Sequence, residues 1–177
     1  MGRDKALLEV GGRPLAAVVA AALVGAGADP VLAVGGDGGA LARLGLVPVP
    51  DDAPGEGPLG GLLTALRVAS TPVVAVLACD LPAARAEAVT RVVDALGSRP
   101  DADVALPVVG GRRALVHGAW RRAARPALAA AFAGGERSLV GAVARLQVVE
   151  VAGIEPAWLA DADAPTDLGP AEPHWGP

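Results

Sequence analysis

Tyrosine is missing from this 177-residue chain, aromatic residues of all kinds make up 2%, and there is one cysteine. A core with so few rings has to be built from Ala, Val and Leu. A single cysteine cannot close an internal disulfide, which suits a reducing compartment. Nor is there a stretch fit to cross a bilayer. The apolar segment Leu15–Val24 is shorter than the about 20 residues a membrane span needs. It follows Pro14 and stops at Gly25-Ala26-Gly27, the start and stop marks of a soluble helix. Nothing at the N-terminus reads as a secretion signal, so the expectation is a cytoplasmic protein with no membrane partner. Excess positive charge is lacking too: the net charge of -4 argues against a nucleic-acid partner. Lysine is scarcest of all. Lys5 is the only one among 15 basic residues, and the rest are arginine.

What the chain does have is apolar character, at 53%, with 24 glycines and 16 prolines spread along it as punctuation. The length suits one domain with a substantial core. Helices are predicted over 14–25, 59–69, 83–97, 123–133 and 138–145. Two of them carry clear stripes at i, i+3, i+4 and i+7: Leu59, Leu62, Leu63, Leu66, and Val89, Val92, Val93, Leu96. Between the helices, 31–34 and 73–78 are apolar on both faces, as strands buried between two helical layers should be. Segments 102–107 and 147–151 are further strands, and Leu115–Val116 is a weaker candidate. The alternation predicts an α/β fold, a three-layer αβα sandwich around a mostly parallel, Rossmann-like sheet. The tail 169–177 is expected to be loose.

Such a sheet binds ligands beyond the carboxyl ends of its strands, and polar residues gather at three such places. In Gly2-Arg3-Asp4-Lys5, Arg3 and Lys5 are candidates for a polyphosphate, one as a planar fork and the other as a mobile point charge; a frayed terminus is the alternative. In the loop 49–61, Asp51 or Asp52 can accept hydrogen bonds from a base or sugar. Its prolines stiffen the backbone, and its glycines, Gly57 among them, permit close approach to a ligand. The alternative there is a surface turn with a helix cap. The third place is Asp80, which ends an apolar strand and precedes Pro82. A carboxylate there is costly to desolvate without a cation, and Mg²⁺ suits it, because that ion takes one or two carboxylates plus phosphate oxygens and water. The alternative is a carboxylate that caps the next helix. Cys79 reads as a small buried core residue, and His117 as structural. The arginines 112, 113, 121, 122 and 125 read as a charged helix face rather than an anion site. Gly35–Gly39 lacks the dinucleotide fingerprint.

The phrases MGRDKALLEVGGRPL, PDDAPGEGPLGGLLTAL, VAVLACDLP, AAFAGGERSLVGAVARLQVVEV and DADAPTDL, in that order, resemble the molybdenum cofactor guanylyltransferases, which are nucleotidyltransferases. The resemblance covers nearly the whole chain and implies a nucleotidyltransferase domain over 1–168. It implies transfer of GMP from GTP to the phosphate of molybdenum-bearing molybdopterin, with Mg²⁺ as cofactor, pyrophosphate as product and transient contact with molybdenum cofactor enzymes. On this resemblance Lys5, with Arg3 nearby, holds the nucleotide phosphates. Asp51 is the acidic residue of the nucleotide loop, with Asp52 the neighbour left open. Gly57 opens the guanylyl-type Gly-Pro-Leu-Gly-Gly stretch. Asp80 is the magnesium ligand, and Asp163 a second polar group near the metal and acceptor. Arg137 and Ser138 fall in a Gly-x-Arg-Ser stretch placed toward the pterin.

The family pattern is not complete. Its first strand and the loop Leu-Ala-Gly-Gly-x-Ser-x-Arg have no counterpart before Met1, which aligns with the methionine closing that loop. Val34 stands where some members have asparagine, Ala164 where threonine is usual, and the Gln-Pro or His-Pro pair near Arg112 is missing. The expected consequences are strands around 31–34 and 73–78 that expose backbone edges or close up imperfectly, lower stability than a full-length relative and weak GTP binding, with a start assigned downstream of the true one as the simplest cause. A CTP- or other NTP-dependent transferase, or a binding protein that has lost its phosphate loop, are the competing expectations.

Overall fold

The apolar stripes read from the sequence are the faces on which the molecule closes. The structure, a computed structural model, describes residues 4–162. A short hairpin comes first, β1 (Glu9–Val10) and β2 (Arg13–Pro14), turning through Gly11 and Gly12 at positive φ. Then follow α1 (Leu15–Gly25), β3 (Leu32–Val34), α2 (Gly38–Arg43), β4 (Val47–Val49), α3 (Pro58–Val68), β5 (Val73–Val76) and α4 (Ala86–Gly97). The second half holds β6 (Val104–Val109), β7 (Arg112–Arg113), β8 (Gly118–Arg121), α5 (Arg125–Ala133), α6 (Leu139–Val143) and β9 (Val148–Val151).

In the main sheet the order is β5-β8-β6, with β7 and β9 also paired to β6. β6 and β9 are parallel, with Val104 opposite Val148 and Pro107 opposite Val151. β8 runs antiparallel to both β5 and β6, so β5, β6 and β9 share one direction and the sheet is parallel-rich. Side chains alternate across it as the period of two requires. Val104, Leu106 and Trp120 pack on one face with Leu59, Leu62 and Leu66 of α3 and Leu128 of α5. Ala105 and Ala119 pack on the other with Val92 and Leu96 of α4. Helices on both faces make the expected three layers.

Two expectations change, and one short helix is new. The strand looked for at Leu115–Val116 forms three residues later, as β8. Trp120, fully buried at 0% exposure, sets that register by filling the space under α3 and α5. The arginines do not share a helix face. Arg112 and Arg113 make up β7, and Arg121 ends β8. The guanidinium of Arg121 donates to the carbonyls of Leu96, Arg99 and Ala102, which ties the end of α4 to the sheet. Only Arg125 opens an α-helix. Short α2 has no stripe long enough to be read; Asp37 caps it by accepting the N–H of Ala40 at 3.0 Å.

β3 and β4 form a separate parallel pair. Among the described residues β3 pairs with β4 and β5 with β8, and no ladder joins β3 to β5. Between these two edges lies a cavity of about 710 Å³, walled by both strands and by α1 and α3. Among the described residues, the strands at 31–34 and 73–78 therefore do not close on each other.

Candidate active site

The carboxyl ends of β3 and β5 line that cavity through Gly35, Gly36, Cys79 and Asp80, and Asp4 lines it with them. The chain enters through a 3₁₀ turn, Lys5–Leu7, capped by Asp4. One oxygen of Asp4 accepts the N–H of Ala6 at 3.1 Å, and the other accepts the N–H of Asp37 at 3.1 Å. Asp4 thus fastens the start of the described chain to the turn after β3. Gly36 has φ +71, and a Cβ there would sit 2.8 Å from the Asp4 carboxylate. A side chain at position 36 is therefore excluded on two counts. Asp4 was not among the sequence candidates; its one signal is an Asx-type residue two positions before a turn.

Lys5, projecting from this anchored turn, brings its Nζ to 3.5 Å from Asp80 Oδ2. The carboxyl of Asp80 is 18% exposed, while the lysine side chain is half in water. Asp80 does not cap the following helix: α4 starts at Ala86, with Arg85 at its N-cap and no side-chain cap. Its backbone carbonyl accepts the N–H of Ala162 at 2.9 Å, which brings the 161–162 segment against the end of β5. Asp163, next in sequence, lies outside the described residues, as do Arg3 and the tail.

Asp51 follows β4, close to Gly35, whose N–H bonds to Val49 O at 2.9 Å. Asp51 Oδ1 accepts the N–H of Ala53 at 3.0 Å and lies 3.2 Å from Thr64 Oγ1. That hydroxyl, wholly buried in α3, accepts the N–H of Asp52 at 3.1 Å. Its single proton goes either to Asp51 or to Gly60 O, 3.1 Å away. The Asp52 carboxylate, in contrast, is forked by Arg67 at 2.6 and 2.9 Å, which raises the Arg67 pKa further. Of the two acids, Asp51 lies beside Gly35 at the end of β3, and Asp52 is held by Arg67 of α3. Gly57 has φ +83, and a Cβ there would lie 3.1 Å from Arg137 O. Arg137 itself is bonded through Nε to Glu56, and Ser138 caps α6 by accepting the N–H of Gly141 at 3.2 Å.

Cys79 is exposed, not buried in the core as the sequence suggested. It lies three residues beyond the end of β5, on the cavity wall. Desolvation by its surroundings, and then the carboxylates of Asp80 and Asp4, push its thiol pKa up. That direction opposes the thiolate a nucleophile needs. His117 is buried, and its Nδ1 accepts the N–H of Ala78 at 3.4 Å, just before Cys79 and Asp80.

The arrangement is a cation beside a carboxylate where parallel strands end, with a glycine-rich loop to one side. Among the described residues no three His, Cys, Asp or Glu side chains cluster so as to enclose a metal ion. A lone carboxylate of this kind fits an ion that keeps most of its coordination for water and substrate phosphates, as Mg²⁺ does.

A family model described as MobA-like NTP transferase domain matches residues 1–148. The chain belongs to that family. A molybdenum cofactor guanylyltransferase of Cereibacter sphaeroides is 32% identical over 174 residues, covering 97% of this chain and 88% of the relative. One from Burkholderia ambifaria is 33% identical over 160 residues, covering 85% of this chain and 78% of the relative. Among solved structures, molybdopterin-guanine dinucleotide biosynthesis protein A from Archaeoglobus fulgidus superposes with a TM-score of 0.75 at 21% identity, covering 94% of this chain and 88% of that one. The 2-C-methyl-D-erythritol 4-phosphate cytidylyltransferase of Thermus thermophilus gives 0.67 at 26% identity, covering 93% and 90%. Family membership makes the protein a nucleotidyltransferase, and the neighbours share its mixed α/β fold. Among the described residues no helix is long and apolar enough to cross a membrane.

Proposed function

We propose that the protein transfers GMP from GTP to the terminal phosphate of molybdenum-bearing molybdopterin, releasing pyrophosphate, in the cytoplasm. The observation that carries this reading is the approach of Lys5 Nζ to Asp80 at 3.5 Å, at the carboxyl ends of the strands. There a triphosphate would meet one cation and one metal-binding carboxylate together. The relatives named as guanylyltransferases over most of the chain favour guanine.

An oxygen of the acceptor phosphate attacks the α-phosphorus of GTP. The new P–O bond forms as the bond to the bridging oxygen breaks, and pyrophosphate departs in line. Lys5, with Arg3 as its proposed partner, offsets the charge that grows on the departing oxygens. Asp80, with Asp163 proposed beside it, would hold Mg²⁺, which supplies charge neutralisation on the phosphates when bound. Asp51 is the proposed acceptor for a donor on the nucleoside, fixed in place by Thr64 and the Ala53 amide. Positioning and fixed charge carry such transfers without a covalent protein intermediate.

The test is magnesium-dependent pyrophosphate release with GTP, CTP and ATP compared, on the wild type and Asp80→Asn. The variant should lose about 10²- to 10³-fold in turnover with an unchanged urea midpoint. Near-normal turnover in that variant removes Asp80 from the reaction. A preference for CTP would favour the cytidylyl reading, which the resemblance to the Thermus cytidylyltransferase supports. The open edges of β3 and β5 bear on the non-catalytic reading. Calorimetry with GTP, on this chain and on one carrying the family's first strand and glycine-rich loop ahead of Met1, addresses it. Tighter binding by the extended chain is expected, and no binding by either would favour a non-catalytic role.

A further inference from the structure

Far from Asp80 in sequence, the turn between α5 and α6 is fastened to the glycine-rich loop by one side chain. Arg137 donates from Nε to Glu56, and from Nη1 to the carbonyls of Phe132 at 2.8 Å and Glu136 at 3.0 Å. Its guanidinium lies over the Phe132 ring, 4.1 Å from the centroid. The backbone meets the loop as well: a Cβ at Gly57 would lie 3.1 Å from Arg137 O, tighter than an ordinary contact. Glu136 organises the turn from beneath. One of its oxygens accepts the N–H of Arg137, the N–H of Ser138 and the hydroxyl of Ser138, each at 2.8 Å. Those bonds, Ser138's backbone amide first, hold the Glu136 carboxyl below its usual pKa.

We propose that Arg137 is a positioning residue that latches the loop 53–57 and thereby sets nucleotide affinity. This rests on the reading of that loop as the nucleotide-facing one. The reasoning is geometric. Gly55 and Gly57 both have positive φ, so the loop has two permissive joints. Pro54 and Pro58 stiffen its ends. Among the described residues the Glu56 amide bonds locally, to Ala53 O at 3.1 Å. Glu56, between the two joints, is where an outside bond removes the most freedom. A planar guanidinium can satisfy a carboxylate and two carbonyls at once while stacking on a ring, which an ammonium cannot. Arg137 and Glu56 are both about half exposed, 44% and 49%, so the pair alone is weak. Its effect comes from where it acts. It also differs from a role toward the acceptor, since Nε and Nη1 are directed at Glu56 and the turn's own carbonyls.

The test is a cycle of Arg137→Ala, Glu56→Gln and the double variant, each read two ways on the full chain. In the free protein, amide hydrogen exchange at Ala53 and Glu56 should rise about fivefold in each single variant, and no further in the double. With GTP the loss should fall on KM or Kd, also about fivefold, with kcat changing less, and Arg137→Lys should recover only part. Unchanged exchange in both single variants, or effects that simply add, overturns the latch. Faster exchange with unchanged GTP affinity overturns the link to nucleotide and indicts the loop assignment, not the latch. A fall in kcat at constant KM overturns the proposal in favour of contact with the reacting phosphates.

Discussion

The two halves of the molecule are made of the same apolar residues and end in opposite conditions. In β6, Val104–Pro107 are all buried, because β8 and β9 pair with the strand and helices cover both faces. In β3 and β5 every residue is only half-buried, though their sequences, LAV and VVAV, are just as apolar. Burial follows neighbours, not composition. The sheet is sealed around β6, and where, among the described residues, β3 and β5 each have one partner, a cavity of about 710 Å³ remains. The candidate chemistry lies at the mouth of that cavity. The sealed half gives the fold its stability, and the open half carries the polar groups.

That division can be broken by matched truncations. Leu106→Ala, in the sealed half, should cost about 2–5 kcal/mol, the range for a buried leucine. Val34→Ala, on the open edge, should cost about 1 kcal/mol or less, because less area leaves water there to begin with. Urea midpoints at unchanged slope measure both. Equal costs would mean that β3 is as well packed as β6 and that the contrast fails.

The same contrast explains what the sequence disclosed. α3 and α4 were legible because each buries one stripe against a sheet face, and a stripe is visible at its period. β3 and β5 were legible as doubly apolar runs. The position of β8 was not, since Leu115 and Val116 look as strand-like as their successors, and only the space that Trp120 fills decides the register. Arg121 could not be read as structural, because its three carbonyl partners come from the end of α4 and the turn beyond it. Lys5, Asp51 and Asp80 were singled out by their expected places beyond strand ends and by family resemblance, and the structure brings Lys5 to Asp80. Asp4 was missed, because its partner, the Asp37 amide, is 33 positions away. Arg137 was found, but its bond to Glu56 spans 81 positions and was not.

A smaller effect should come from the polar seam between loop and helix. Thr64→Val keeps the volume but leaves the Asp52 N–H without its acceptor and Asp51 without the hydroxyl. A stability loss of about 0.5–1.5 kcal/mol is expected, the net worth of a hydrogen bond whose part-buried donor can turn to water, together with weaker GTP binding. If stability falls and affinity does not, Asp51 is a loop-folding residue only.

The smallest effect expected is a pH dependence that joins the two halves. His117 precedes β8 in the sealed sheet, and its Nδ1 holds the Ala78 amide just before Asp80. Burial lowers its pKa, outweighing the opposite pull of Asp80 and Asp161. The native state therefore keeps the ring neutral at pH values where the unfolded chain, titrating near about 6.5, has begun to take up a proton. Over that window the unfolded state binds more protons, so stability is full above the unfolded pKa and declines as pH falls through the lowered native one. Protonation would also turn Nδ1 from an acceptor into a donor facing the Ala78 N–H, which loosens the end of β5. Urea midpoints at about pH 7.5 and about pH 5.5 should differ in the wild type and differ less in His117→Asn. An equal fall in both proteins would assign the acid sensitivity to the carboxylates instead. It would leave His117 as packing alone, and the two halves as joined by their backbone rather than by this ring.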